Sequence, residues 1–130
     1  MIDMAVGIRE RVKEGEGPKP TRYFSGRQED QVAKKIGGRK TANSGATMFG
    51  GKSDVHTKKL AVECKTKTKS VDSFSIKKEW LLKNQQEAVS DGKPYNVLAF
   101  NFGPGEPNYY IIDEDMFIDF LEYINTKDEL

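Results

Sequence analysis

The stretch Leu60-Ala61-Val62-Glu63-Cys64-Lys65 constrains this chain more than any other. Side chains along a strand alternate between faces, so Leu60, Val62 and Cys64 share one face and Glu63 and Lys65 the other. The first set can pack on a core. The second then presents a carboxylate and an ammonium side by side. A short turn near Lys58 separates this strand, read over about 60–66, from a preceding one over about 52–57. Antiparallel pairing across that turn brings Asp54 beside Glu63. Two neighbouring carboxylates repel unless a cation sits between them, and hard oxygen ligands of this kind suit Mg²⁺, with Mn²⁺ fitting the same donors.

The surrounding sequence supplies a frame for that strand pair. A short helix is predicted over Gln28–Ile36, with Val32, Ala33 and Ile36 as its apolar stripe, Ser25 or Gly26 before it and Gly37-Gly38 ending it. Arg39–Asn43 reads as a polar strand or loop, followed by a small-residue turn at Ser44-Gly45-Ala46. Residues 75–90 carry the longest helical pattern, with Ile76, Trp80, Leu81 and Ala88 roughly in phase and Asp91-Gly92 as its stop. Trp80 reads as core or subunit contact. Tyr95–Phe102 is a strongly apolar strand, and the turn Gly103-Pro104-Gly105 leads to a hairpin partner at Tyr109–Ile112. Asp113 is placed to cap a last helix whose Met116, Phe117, Phe120, Leu121 and Ile124 form one stripe. The expected fold is α/β, a central mixed sheet flanked by helices, in the order αβββαββα. Residues 1–26, with breakers from Gly15 to Pro20, read as an N-terminal arm, and 27–130 as one domain.

Of 130 residues 32% are charged and 36% hydrophobic, no apolar run approaches the roughly 18 residues of a membrane span, and no secretory leader is visible. The lone Cys64 cannot form an internal disulfide, which suits a reducing cytoplasm. The terminal Lys127-Asp128-Glu129-Leu130 matches an ER-retrieval address, read as coincidence without a route into that lumen. The net charge of +1 conceals a division. Residues 27–83 hold 14 Lys/Arg against 6 Asp/Glu, a net +8, and residues 84–130 hold 2 against 10, a net −8. The basic part contains the Asp54/Glu63/Lys65 constellation. Lys34, Lys35, Arg39, Lys40, Lys77 and Lys78, with Lys67 and Lys69 continuing the alternation of Lys65, are placed to form a cationic rim for a phosphate backbone. No base-reading element is visible, so the rim favours DNA recognised by shape.

Such a constellation fits phosphodiester hydrolysis, with a divalent ion activating water and Lys65 neutralising charge on the phosphate. The order of Glu29 in a first helix, Ser44-Gly45-Ala46, Asp54, and Glu63-x-Lys65 before a long helix resembles the restriction-endonuclease-like nuclease superfamily named for its Asp…(Asp/Glu)-x-Lys motif. Within it, the Ser-Gly-Ala turn, the helical Glu and the run Phe74-Ser75-Ile76-Lys77-Lys78-Glu79-Trp80-Leu81 resemble phage-encoded Holliday junction resolvases. The likeness covers about residues 22–102. Ser53 stands where that family often has proline.

The resemblance implies a Mg²⁺-dependent endodeoxyribonuclease cutting four-way junctions. It implies Glu29, Asp54 and Glu63 as metal ligands, Lys65 as the catalytic cation and Ser44 as an assistant near the phosphate. In that setting the location is the cytoplasm, of the host for a phage protein. Glu29 has a second explanation, because acids in a helix's first turn offset the macrodipole. His56, the single histidine, reads as a bystander. Paired cuts imply a homodimer, with the final helix, the strand Tyr95–Phe102 or an exchanged arm as the surfaces able to supply its interface. Two alternatives stand beside this reading: a nuclease of the same fold with another DNA target, such as a nickase or a repair or restriction-type enzyme, and a non-catalytic DNA-binding module.

Overall fold

The computed structural model describes residues 19–42 and 53–128. The expected Ser44 turn and most of the N-terminal arm lie outside these residues. Within them the chain runs α1 (Thr21–Ile36), β1 (Arg39–Lys40), β2 (Val55–His56), β3 (Leu60–Lys65), α2 (Lys78–Ser90), β4 (Tyr95–Phe100), β5 (Tyr109–Ile111) and α3 (Glu114–Asp128). The five strands form one mixed sheet in the order β1-β2-β3-β4-β5. β3 and β4 pair in parallel and all other neighbours are antiparallel. The α/β class, the order of elements and the β4–β5 hairpin are those read from the sequence.

The two central strands are buried on both faces. On one, Val62 and Cys64 of β3 and Val97 and Ala99 of β4 pack with Val55 and with Val32 of α1, and Ala33, Ile36, Ile112 and Met116 close the margin. On the other, Ala61 and Leu98 are sealed from solvent, and α2 presents its buried residues Asn84 and Ala88. The Asn84 amide donates to the backbone carbonyl of Val97 at 2.9 Å and lies 3.5 Å from that of Ala61, while its oxygen accepts from the Ser53 hydroxyl. One side chain thereby joins α2, both central strands and the residue preceding Asp54.

Several boundaries differ from expectation, each for a local reason. α1 begins at Thr21 and not near Gln28, so the boundary at residue 26 falls inside a helix. Pro20 at its N-cap has φ −71°, already helical in φ. The pair Tyr23/Arg27, joined by a hydrogen bond of 3.2 Å one turn apart, helps offset the roughly 1 kcal/mol cost of a helical glycine at Gly26. Gly37 ends the helix in the left-handed region at φ +72°, and a Cβ on Gly38 would stand 2.7 Å from the His56 carbonyl oxygen where β2 passes. Among the described residues, the strands predicted over 39–43 and 52–57 cover only Arg39–Lys40 and Val55–His56. β3 stops at Lys65, so Lys67 and Lys69 do not continue its alternation. There the chain leaves the sheet: Thr66 binds the Asn101 side chain, and Val71 N–H donates to Phe102 C=O at 2.8 Å. Residues 75–77 lie outside any helix, Lys77 being extended at the N-cap, and α2 starts at Lys78. Asp113 caps α3 as expected, its carboxylate accepting from Met116 N–H at 2.9 Å.

Asn84→Ala removes the donor to a buried carbonyl and is expected to lower unfolding free energy by about 1–3 kcal/mol in urea titrations. Leu82→Ala, on the exposed side of the same helix, is expected to stay within about 0.5 kcal/mol of the parent. Equal effects of the two substitutions would contradict the role given to Asn84.

Candidate functional site

β2 pairs with only the first part of β3, its last register match being Val55 with Val62. Beyond it, among the described residues, the edge of β3 has no strand neighbour on that side. Cys64 N–H therefore donates to the Asp54 carboxylate at 2.9 Å instead of to a ladder carbonyl. One step further along the same register Asp54 lies opposite Glu63, the arrangement expected from the sequence. Glu63 and Lys65 project together from the sheet face covered by α2, half-buried, with Lys65 Nζ 3.3 Å from Glu63 Oε2. The same ammonium lies 4.6 Å from the centre of the Trp80 ring. An ion pair and an aromatic face thus hold Lys65 from two sides.

Glu29 reaches the same neighbourhood from α1. Its carboxyl is pushed up to about 7, first by burial and then by the charge of Asp54, with Lys40 opposing. Glu63 is likewise pushed up to about 7, again by burial and then by Asp54, with Lys65 opposing. Burial followed by the charges of Asp54, Glu29 and Glu63 drives the Cys64 thiol upward, so it stays protonated and serves as packing. Asp54 is the common neighbour in all three cases. The carboxylates crowd one another with more negative charge than Lys65 and Lys40 offset. Among the described residues no three acidic, histidine or cysteine side chains are already close enough to form a cation cage. The donor set nevertheless has the chemistry of a hard-cation site: carboxylate oxygens, surplus charge and partial burial. Asp54, Glu63 and Glu29 are the residues able to hold such an ion.

The cationic residues fall into two groups. Lys40 opposes Glu29 electrostatically and pairs with Asp30 at 3.1 Å. Lys67 Nζ lies 5.0 Å from the Phe74 ring and Lys77 Nζ 5.8 Å from the Trp80 ring, beside Lys65. Lys40 thus stands near Glu29, and Lys77 shares the Trp80 ring with Lys65. Lys34, Lys35, Arg39, Lys69 and Lys78 are exposed, and no contact ties them to the site. His56 Nδ1 is 3.1 Å from Thr41 Oγ1, a structural pairing at the β1–β2 edge. Ser44 lies outside the described residues.

Three contributors had no site role in the sequence pattern. Trp80 is half-buried, its ring edge-on to Phe74 and its face toward the Lys65 ammonium. Glu87 sits one turn beyond Asn84, 3.4 Å from the Ser53 hydroxyl, and its charge reaches Glu63. Gln28, only 2% exposed, donates through Nε2 to Lys65 C=O at 2.9 Å and to Asn108 Oδ1 at 3.1 Å, and lies 3.4 Å from Ala99 C=O. It pins α1 against the ends of β3 and β4 beside Glu29. The available signals were positional: Gln28 is four residues before Val32, and Glu87 three after Asn84.

No family model, curated protein or solved structure matches this chain.

The raised carboxyls have a consequence with a definite sign. Unfolded, Glu29 and Glu63 release protons near 4.5; folded, they do so near 7. Between these values the folded state binds more protons, so their contribution to stability is full below 4.5 and is lost as pH rises through 7. In chelator, Glu63→Gln is expected to flatten the fall in melting temperature between pH 5 and 8, and to exceed the parent at pH 8. Mg²⁺ is expected to raise the parent's melting temperature at pH 8 and leave it nearly unchanged at pH 5. A parent whose stability relative to Glu63→Gln rises across that range would contradict the crowding of these groups.

Proposed function

We propose that this chain is a divalent-cation-dependent endodeoxyribonuclease with a restriction-endonuclease-like fold, acting on branched DNA and above all on four-way junctions. The observation that carries the reading is the convergence of Asp54, Glu63 and Lys65 at the unpaired edge of β3, with Glu29 arriving from α1 under the same electrostatic strain. The motif likeness to phage Holliday junction resolvases, in residue type and order, supports it further.

Asp54, Glu63 and Glu29 would hold a Mg²⁺ or Mn²⁺ ion, which when bound would supply Lewis acidity toward a phosphoryl oxygen and water. Asp54, anchored by Cys64 N–H, keeps a carboxylate oriented without a flexible side chain having to find its place. Glu63, paired with Lys65 at 3.3 Å, would be one of the carboxylates holding such a cation. Lys65, lying against Trp80, presents its positive charge where charge builds on the phosphate during attack. Lys40, Lys67 and Lys77 contribute phosphate contacts that position the backbone without reading bases. The acidic segment from residue 84 onward repels DNA and leaves the basic face to meet it.

Cleavage of synthetic four-way junction, fork and linear duplex, each with and without Mg²⁺, tests the reading. The junction is expected to be cut fastest, and only with the cation. Asp54→Ala and Glu63→Ala are expected to lower the rate by at least about a hundredfold, as loss of one electrostatic catalytic group typically does. Junction binding is expected to survive both substitutions and to fall steeply with salt. Preferred cutting of another DNA form would keep the nuclease and change its substrate. Binding without cutting under all conditions would leave a DNA-binding module.

A further inference from the structure

Aromatic rings gather where β3 and β4 end, on the sheet face that carries Glu63 and Lys65. Phe100 pairs in register with Lys65 on one side and with Tyr109 on the other, so all three share that face. The Phe100 ring centre lies 5.2 Å from Phe74, 5.5 Å from Phe102 and 5.7 Å from Tyr109, and Phe74 lies 6.3 Å from Trp80. Among the described residues no aromatic side chain belongs to the buried core. Four of these rings are half-buried, Phe100 at the centre included, and Tyr109 is 50% exposed. The cluster therefore keeps an open side. It is also held in place. Val71 N–H donates to Phe102 C=O at 2.8 Å, Ser70 Oγ donates to Glu106 at 3.2 Å, and a Cβ on Gly103 would stand 2.6 Å from Ser70 Cα. The segment bearing Phe74 is thus fastened across the strand ends before any ligand arrives.

Charge on the same segment selects the ligand. Residues 65–78 hold five Lys against one Asp, a net +4. Lys67 Nζ stands 5.0 Å from the Phe74 ring, and Lys65 and Lys77 stand 4.6 and 5.8 Å from the Trp80 ring. A ligand matching interleaved rings and ammonium groups offers a flat π face with negative charge beside it. A nucleotide does both, whereas an acyl chain or an apolar peptide lacks the charge. Within a duplex the base faces are covered by their neighbours, so only a base out of the stack can present one. Tyr109 offers the opposing face, since it leans on Phe100 at 31° and leaves half of its surface to solvent. It stands two strands from Lys65, about 10 Å at the usual strand spacing. That is about three base steps at roughly 3.4 Å each. We propose that Tyr109, backed by Phe100 and Phe102, is a stacking platform for an unpaired nucleobase of DNA, with Lys67 holding an adjoining phosphate. Every base has a π face, so such a platform selects an unstacked nucleotide without reading sequence. The choice of DNA rests on the nuclease reading, and the platform names what that site selects in a branch: a nucleotide freed at the crossing.

Anisotropy of a labelled oligothymidine and of its abasic counterpart, measured on the full chain in chelator, tests the platform apart from cutting. The parent is expected to bind the oligothymidine at least about fivefold more tightly than the abasic strand, the margin that stacking of one base supplies. Tyr109→Phe is expected to keep that margin. Tyr109→Leu, which keeps apolar bulk without a ring, is expected to lose it with unchanged circular dichroism. Lys67→Ala is expected to keep the margin and to reduce the salt slope by about 0.7. A four-way junction with two unpaired thymidines at its crossing is expected to bind the parent more tightly than a fully paired one. Equal binding of the oligothymidine and the abasic strand, or binding of neither, would overturn the platform on the parent alone. So would Tyr109→Leu matching Tyr109→Phe. Any of these with junctions still cut in Mg²⁺ strikes the platform and leaves the nuclease. The expected binding results without cutting strike the nuclease and leave a base-stacking surface.

Discussion

The hydrogen bond from Cys64 N–H to the Asp54 carboxylate is the contact on which the site depends. Among the described residues β2 pairs with only the first part of β3, and Cys64 N–H takes the Asp54 carboxylate where a ladder acceptor would stand. A buried N–H left unpaired costs about 1–3 kcal/mol, so the edge demands a substitute acceptor. Asp54 provides it, and in doing so brings its charge against Glu63, Glu29 and the Cys64 thiol. A requirement of the sheet thus fixes the electrostatics of the cluster. The raised protonation of Glu29 and Glu63 follows first from burial and then from that placement.

The supports around this contact are themselves polar and buried. Asn84 fastens α2 to β4 and meets Ser53, next to Asp54. Gln28 fastens α1 to the ends of β3 and β4, next to Glu29. Its Oε1 is sealed from water and, among the described residues, has no hydrogen-bond partner. An apolar residue would fill either position more simply. Amides there fix the approach of each helix to within hydrogen-bond geometry, which packing alone leaves looser. Each acidic group of the cluster is therefore placed by a neighbour within one residue of it or by the backbone of β3.

Much of this arrangement was legible in the sequence where one rule dominated. Alternation placed Glu63 and Lys65 together, and the short turn at Lys58 placed Asp54 across from them. The Gly103–Gly105 turn announced the hairpin, and Asp113 the cap of α3. The illegible parts are those where two rules compete. Gly26 argued for a helix boundary, but Pro20 and the Tyr23/Arg27 pair carried α1 through it. Lys67 and Lys69 keep the period of a strand, but the side-chain bond from Thr66 to Asn101 draws the chain out of the sheet. Gln28, Asn84 and Glu87 lie on inward helix faces that apolar periodicity passes over. The stripe on α3 was visible as a pattern, but its exposure could be learned only from the fold.

The claim with the widest consequences is that Asp54, Glu63 and Glu29 share a divalent cation. Anomalous diffraction from crystals containing Mn²⁺ addresses it directly, since the ion's position is read without any assumption about activity. A single strong peak within coordination distance of the Asp54 and Glu63 carboxylates, with Glu29 directed at it, is the expected result. Mn²⁺ bound only elsewhere on the chain, with these three carboxylates left unliganded at neutral pH, would contradict it.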